Sequence, residues 1–212
     1  MSNISVVDLA ADRAYLAIRG LIVSLELPPG AVIDERELMQ RLGLGRTPVR
    51  EALRQLAQEQ LVEVFPRRGM FVTGVDVRDL ARISEVRAAL EPEAARLAAE
   101  RATDEERDEL ADLGGQIKRG ADLMELDERI HRAIYAAAHN DLMKKTLGEY
   151  YVLALRIWMI ALDRAEALED AVEAHRDLIQ AIVVGNADRA ASLMQDHVEN
   201  FETSMRKVLV TV

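Results

Sequence analysis

Four side chains in the C-terminal half of the chain have the chemistry of metal ligands. Asp127 and His131 lie four residues apart in a helical pattern, so both side chains project from one face, as a chelate requires. His175 and His197 lie in two further helical segments. A helix bundle can direct one carboxylate and three imidazoles from such helices to a common point. This set of donors suits Zn²⁺, Ni²⁺, Fe²⁺ or Mn²⁺.

Spacing alone leaves a second interpretation of these residues open. An Asp-x-x-x-His pair is commonplace, and separate surface or core histidines are the more frequent case. A metal-dependent hydrolase or oxygenase is a weaker alternative, because no Glu, Ser or Cys stands at a spacing that identifies a general base or a nucleophile.

A row of arginines in the N-terminal third has the chemistry of a nucleic-acid contact. Arg46, Arg50 and Arg54 recur every four residues, and Glu51 is the only acid from Arg46 through Gln58. On a helix these arginines share one face, where guanidinium groups could meet phosphates and guanine edges. The alternative is an ordinary amphipathic helix with solvated arginines.

The elements around this row predict a winged helix-turn-helix. Asp34 is a predicted cap for a first helix, and Gly43 is predicted to end it. Thr47 is the predicted N-cap of the second helix, with Pro48 at its first position. Two β-rich runs around the basic turn at 66–69 then predict a hairpin.

The segment from Leu27 to Val72 resembles the DNA-binding domain of the GntR family of bacterial transcription regulators. It contains Leu27-Pro28-Pro29-Gly30, Arg46-Thr47-Pro48-Val49-Arg50-Glu51-Ala52-Leu53 and Arg68-Gly69. The resemblance implies that operator DNA is contacted by Arg36, Arg46, Thr47, Arg50 and Gly69. The positions of Arg54, on the arginine face, and Arg68, at the wing tip, suit the same role. Gly45 stands where a serine is usual, which can cost a capping or phosphate hydrogen bond.

From Val77 onward the sequence shows helical patterns and no convincing strand. They predict an all-α six-helix bundle in which His175 lies in the middle of a helix. The predicted helices span 77–100, 104–118, 121–138, 141–163, 167–184 and 187–208.

The segments around Arg87, Asp127, His175 and His197 resemble the FCD-type ligand-binding domain of the FadR branch of the GntR family. The resemblance implies a divalent metal on Asp127, His131, His175 and His197, with zinc expected in the purified protein. His139 has no counterpart among these ligands and is predicted to be structural or exposed.

Arg87 matches an arginine that in this domain often faces the carboxylate of the effector. The resemblance therefore implies a small organic acid, held by the metal and by a bidentate guanidinium contact. The alternative for Arg87 is an ion pair with Glu91 within one helix. Arg156 is a further candidate for effector binding, and Tyr150, Tyr151 and Trp158 could line the pocket.

The distribution of charge supports two domains with different partners. The chain has 212 residues and a net charge of −10; residues 1–75 contain 9 basic and 9 acidic side chains, whereas residues 76–212 contain 18 and 28. We therefore predict a DNA-binding domain at 1–75 and an effector-binding and dimerisation domain at 76–212. The absence of cysteine, of a signal peptide and of a membrane span favours a cytoplasmic protein.

Together these features predict a ligand-responsive transcription regulator, a repressor that binds a palindromic operator as a homodimer. A small carboxylate effector at the metal site would control it. In a second version of the same hypothesis the metal itself is the signal.

Overall fold

The computed structural model describes residues 6–117, 123–161 and 172–209. The chain divides into two compact units, Met1–Asp76 and Val77–Val212. The predicted fold class, a winged helix-turn-helix followed by an all-helical unit, is confirmed. No helix among the described residues is long and apolar enough to cross a lipid bilayer.

Over its described residues, the N-terminal unit contains three helices and a small antiparallel sheet in the order β1-β3-β2. Its elements are α1 (Val6–Val23), β1 (Val32–Ile33), α2 (Glu35–Leu42), α3 (Arg46–Gln58), β2 (Val62–Phe65) and β3 (Gly69–Val72). The hairpin β2–β3 was predicted, whereas β1 was not, because a strand of two residues is too short to show an alternating pattern.

Local capping explains where α2 begins and ends. The Asp34 carboxylate accepts hydrogen bonds from the backbone nitrogens of Arg36 and Glu37, at 2.7 and 3.3 Å. Gly43 ends α2 with φ of 63°, in the left-handed region that glycine adopts without strain. The prediction for the next helix was wrong: α3 begins at Arg46, and its N-cap is Gly45 rather than Thr47.

The C-terminal unit begins with a 3₁₀ turn at Val77–Asp79, and six α-helices follow among its described residues. They are α4 (Leu80–Arg101), α5 (Asp104–Gln116), α6 (Leu123–Ala137), α7 (Asp141–Ala161), α8 (His175–Val183) and α9 (Ala187–Leu209). Helix α4 is central, since it packs against α6, α7, α8 and α9. His175 is the first residue of α8 and not mid-helix as predicted; residues 167–171 of the predicted helix lie outside the described residues.

Side chains at helix ends hold this unit together. Thr103 and Glu106 form a reciprocal capping box at the start of α5, with hydrogen bonds of 2.9 and 3.2 Å. The Arg107 guanidinium donates to the carbonyls of Ile182 and Ala99, so it joins the ends of α8 and α4. These bonds satisfy helix-terminal groups that would otherwise lack partners.

Candidate DNA-binding surface and candidate metal centre

Helix α3 separates an apolar side from a cationic side. Val49, Ala52, Leu53 and Leu56 are buried against the rest of the N-terminal unit. The side chains on the other faces are exposed, and they include four of the predicted DNA contacts: Arg46, Thr47, Arg50 and Arg54. The helix thus presents guanidinium groups to solvent from an apolar base, as a recognition helix must.

The arginine face has an acidic neighbour that the sequence analysis did not identify. Glu35, the first residue of α2, lies with its carboxylate 3.7 Å from Arg46 Nε and 3.5 Å from Arg50 Nε. Arg46 and Arg50 keep 70% and 49% of their side chains exposed. These contacts are long and solvated, so they neutralise the face only weakly.

The remaining predicted DNA contacts lie at the ends of neighbouring elements. Arg36 is exposed in the first turn of α2. Arg68 and Gly69 are exposed at the wing tip, where Arg67 and Gly69 both have positive φ, 65° and 100°. The tight turn, closed by a hydrogen bond from Arg68 N to Phe65 O of 3.1 Å, projects the basic tip away from the sheet.

In the C-terminal unit three helices bring the histidine cluster together. We use this term for His131 of α6, His175 of α8 and His197 of α9. One ring nitrogen from each lies within 4.8 Å of the others, and the Nε2 atoms of His131 and His175 are 3.2 Å apart. All three residues are buried, with at most 8% of the residue exposed.

Asp127 adjoins two members of this cluster. Its Oδ2 lies 3.9 Å from His131 Nε2 and its Oδ1 lies 3.7 Å from His175 Nδ1. The Tyr151 hydroxyl donates a hydrogen bond of 2.7 Å to Asp127 Oδ2, while Oδ1 is buried without a hydrogen-bond partner among the described residues. The structure therefore brings together the four side chains predicted as metal ligands.

The protonation preferences of the cluster suit a metal. Burial lowers the pKa of His131, His175 and His197, and neighbouring positive charge lowers those of His131 and His197 further. The imidazoles are therefore neutral, as ligands must be. Burial raises the pKa of Asp127 and so favours its protonated form. A bound divalent cation would instead favour the ionised carboxylate. Three neutral nitrogens and a carboxylate with one unpartnered buried oxygen fit a divalent metal, which would supply open coordination positions for an oxygen ligand.

Arg87 lies beside this cluster but is already paired. Its Nε donates to Glu91 Oε1 at 2.5 Å, and the two side chains are 3% and 0% exposed. Burial acts to lower the pKa of Arg87, but the Glu91 carboxylate, together with Tyr135 and Tyr151, outweighs it and the pKa is raised. The intrahelical pair that was the alternative interpretation of Arg87 is thus present. The guanidinium also lies over the rings of Phe201 and Tyr151, 5.1 and 5.9 Å from their centroids.

A small cavity is lined by Arg87, Asp127 and two members of the histidine cluster, His131 and His197. Its volume is about 10 Å³, room for about one water molecule. The lining residues are Arg87, Asp127, His131, Tyr151, Ala154, Leu155, Trp158, His197 and Phe201. Three residues predicted for the pocket, Arg87, Tyr151 and Trp158, therefore line the cavity.

Two other predicted pocket residues, Arg156 and Tyr150, do not line this cavity. Arg156 is fully buried on a different side of α7 from Tyr151 and Trp158, and burial lowers its pKa to about 10. His139, predicted as structural or exposed, is exposed and pairs with Glu106 at 2.9 Å.

Two residues around the cluster were missed as parts of the site. Glu91 Oε2 lies 3.6 Å from His131 Nδ1, and the Tyr135 hydroxyl lies 3.1 Å from the same nitrogen. These contacts leave Nε2 of His131 directed toward the other histidines. Local signals for this role are weak, because the four-residue spacing of Arg87 and Glu91 on α4 indicates only an intrahelical pair.

Comparison with protein families gives two adjacent matches that together cover most of the chain. Residues 10–72 match the model described as bacterial regulatory proteins, gntR family, and residues 82–200 match the FCD domain.

Individual relatives agree with these matches. The chain is 34% identical over 192 residues to an uncharacterized HTH-type transcriptional regulator in an unstable DNA locus of Streptomyces ambofaciens, covering 86% of this chain and 79% of that protein. It is 26% identical over 203 residues to the HTH-type transcriptional repressor RspR of Escherichia coli K12, covering 93% and 89%. The solved structure of E. coli McbR/YncC has the same fold, with a TM-score of 0.78 at 22% identity over 93% of this chain and 97% of that chain.

Proposed function

Starting from the fact that this chain belongs to the GntR family of bacterial regulatory proteins, and is a DNA-binding transcription regulator and not an enzyme, we propose that it is a repressor controlled by a small organic acid at a metal site. A relative that is 26% identical bears the name of a transcriptional repressor, which supports the direction of control. The FCD match over residues 82–200 supports a ligand-binding role for the C-terminal unit.

The DNA-binding half of the proposal rests on the exposed arginine face of α3. The recognition helix lies in the major groove, and the wing tip meets an adjacent groove or backbone. Two copies of the chain bind as a homodimer, so that two recognition helices read the half-sites of a palindrome. The residues in contact with DNA are Arg36, Arg46, Thr47, Arg50, Arg54, Arg68 and Gly69.

The observation that carries the effector half is the buried meeting of three neutral imidazoles with Asp127 beside Arg87. Asp127, His131, His175 and His197 hold a divalent metal, with zinc expected in the purified protein. A carboxylate could then take an open position on the metal while a second oxygen faces the Arg87 guanidinium.

The size of the cavity suggests how an acid would act on DNA binding. A volume of about 10 Å³ does not admit a hydroxy acid, so binding requires side chains around the cluster to move. The acid therefore binds an expanded arrangement more tightly than the compact one and shifts the population toward it. This differential affinity is the requirement for coupling to the operator.

The proposal is tested by measuring operator affinity in defined metal states. The DNA is a duplex that the wild-type protein selects from random sequence. The protein is stripped with a chelator, reloaded with Zn²⁺, Ni²⁺ or Mn²⁺, and titrated with lactate or malate. An acid should change operator affinity only in the metal-loaded protein. His175→Ala should abolish the response, whereas His139→Ala, which changes an exposed histidine, should keep it. A response that survives metal removal would contradict the metal half of the proposal.

A second version is favoured by the same small cavity, which has room for about one water molecule. In this version the metal itself is the signal, and no organic ligand enters. Operator affinity would then change on metal loading alone, and added acids would have no further effect.

A further inference from the structure

Glu91 is a buried carboxylate that faces the Arg87 guanidinium with one oxygen and the histidine cluster with the other. Its Oε1 accepts the hydrogen bond from Arg87 Nε at 2.5 Å. Its Oε2 lies 3.6 Å from His131 Nδ1 and has no hydrogen-bond partner among the described residues. The side chain is fully buried, so solvent does not screen its charge. Glu91 is also not one of the four side chains that meet as candidate metal ligands.

The formal charges of the described residues around the cavity can be counted. Arg87 contributes +1 and Glu91 −1, and they cancel as a contact pair. Asp127 contributes −1 when it is a metal ligand, since ligating carboxylates are ionised, and the three histidines are neutral. A divalent metal adds +2, so the loaded site carries a net charge of +1. Burial makes an uncompensated charge unfavourable, and one further negative charge would neutralise the site.

Among the described residues, the remaining wall of the cavity has no cationic side chain other than Arg87. Ala154, Leu155, Trp158 and Phe201 supply mainly apolar surface. The Tyr151 hydroxyl already donates to Asp127. A second carboxylate would therefore lose its hydration without gaining a cationic partner among the described lining residues, which is unfavourable.

We propose that Glu91, by neutralising Arg87, sets the charge of the ligand: the metal-loaded site takes an acid with a single carboxylate and discriminates against diacids. This inference rests on the proposed function, in which a small acid binds beside the metal, and it narrows the chemical class of that acid. Arg87 then orients the ligand through its Nη nitrogens, while its Nε remains bound to Glu91. Glu91 is a specificity-determining residue that need not touch the ligand.

Lactate and malate provide a matched pair of probes. Both are 2-hydroxy acids, and malate carries a second carboxylate where lactate has only a methyl hydrogen. Their dissociation constants are measured by calorimetry on the full-length protein reconstituted with Zn²⁺, with metal content determined in the same samples. The wild-type protein should bind lactate more tightly than malate, by at least about tenfold for one uncompensated buried charge.

Variants separate the charge of Glu91 from its shape. Glu91→Gln removes one negative charge and should shift the lactate-to-malate ratio toward malate by about tenfold. The double variant Arg87→Gln with Glu91→Gln removes both members of the pair and restores the net charge of +1. Both acids should bind it more weakly, because the guanidinium contact is lost, but the ratio should return toward lactate. Glu93→Gln, on the same helix but paired with Arg96 near the surface, is the control and should leave the ratio unchanged.

The outcomes distinguish this inference from the proposed function. If the protein takes up no metal, or neither acid binds to the loaded protein, the proposed function fails and the inference fails with it. If the loaded wild-type protein binds malate as tightly as lactate, only the inference fails, and this result does not depend on the folding of a variant. An unchanged ratio in a metal-loaded Glu91→Gln variant would also overturn it.

Discussion

Arg46 in the N-terminal unit and Arg87 in the C-terminal unit each lie beside a glutamate, but in opposite settings. Arg46 is 70% exposed and its Nε lies 3.7 Å from Glu35, whereas Arg87 is 3% exposed and lies 2.5 Å from Glu91. An exposed, loose pair contributes little and can exchange its carboxylate for a phosphate. A buried, close pair cannot lose either partner without leaving an uncompensated charge. The same two residue types thus suit a DNA contact in one unit and a fixed electrostatic site in the other.

The largest expected effect concerns the buried region and is the removal of its metal. Metal that binds only the folded chain stabilises it by about 4 kcal/mol when free metal is about 1,000 times its dissociation constant. Chelation should lower the unfolding free energy of the zinc-loaded protein by that amount, as measured by urea unfolding. His131→Ala should be insensitive to the chelator and His139→Ala as sensitive as wild type. A chelator effect of equal size in His131→Ala would show that the stabilising metal does not bind at the histidine cluster.

The next effect concerns the exposed region. Arg46→Ala should weaken binding to the selected duplex by about 1–3 kcal/mol if the guanidinium reads a base. If it meets a phosphate instead, the slope of log affinity against log salt should fall by about one. Fluorescence anisotropy across a salt series measures both. Arg82→Ala changes a highly exposed arginine on α4 and serves as the control. If the affinity and the salt slope of Arg46→Ala match those of the wild-type protein, Arg46 does not contact DNA.

A third prediction tests whether metal binding by the histidine cluster depends on the overall stability of the C-terminal unit. Thr103→Ala removes half of the capping box of α5 and should lower the unfolding free energy by about 1 kcal/mol. The zinc content should stay at the wild-type value, because Thr103 does not contact the cluster. Loss of metal in this variant would mean that metal binding follows the stability of the unit as a whole.

The smallest expected effect sharpens the comparison of the two glutamates. Glu35→Gln should strengthen binding to duplexes of mixed sequence by about 0.2–1 kcal/mol, because the arginine face then has less negative charge to repel phosphates. The gain should shrink at high salt. Glu37→Gln, in the same turn of α2, is the matched control. Weaker binding by Glu35→Gln would show that the carboxylate orients the arginines rather than neutralising them.

Local patterns were sufficient for the elements of the winged unit. The Asp34 cap and the Gly43 end follow from the intrinsic preferences of single residues, and the arginine face follows from helical periodicity. The predicted start of α3 was wrong because the preference for Thr as an N-cap competes with the conformation of the backbone. Gly45 has extended backbone angles of −72° and 172°, so the chain enters the helix two residues earlier.

Non-local contacts explain what could not be predicted from the residues alone. Asp127 and His131 lie on one helix turn, but His175 and His197 come from α8 and α9, and their meeting could be expected only from the resemblance to a known domain. The approach of Glu35 to Arg46 and the approach of Glu91 to His131 were hidden for the same reason. Glu35 of α2 lies near Arg46 of α3, and Glu91 of α4 lies near His131 of α6. A periodic pattern within one helix cannot show contacts between two helices.

The most direct test of the buried metal centre is elemental analysis of the purified protein beside its His131→Ala, His175→Ala and His139→Ala variants. We expect about one divalent metal per chain in the wild-type protein and in His139→Ala, and none in the other two variants. A wild-type protein that remains free of metal after reconstitution with Zn²⁺, Ni²⁺, Fe²⁺ and Mn²⁺, or variants that keep a full complement, would contradict the account.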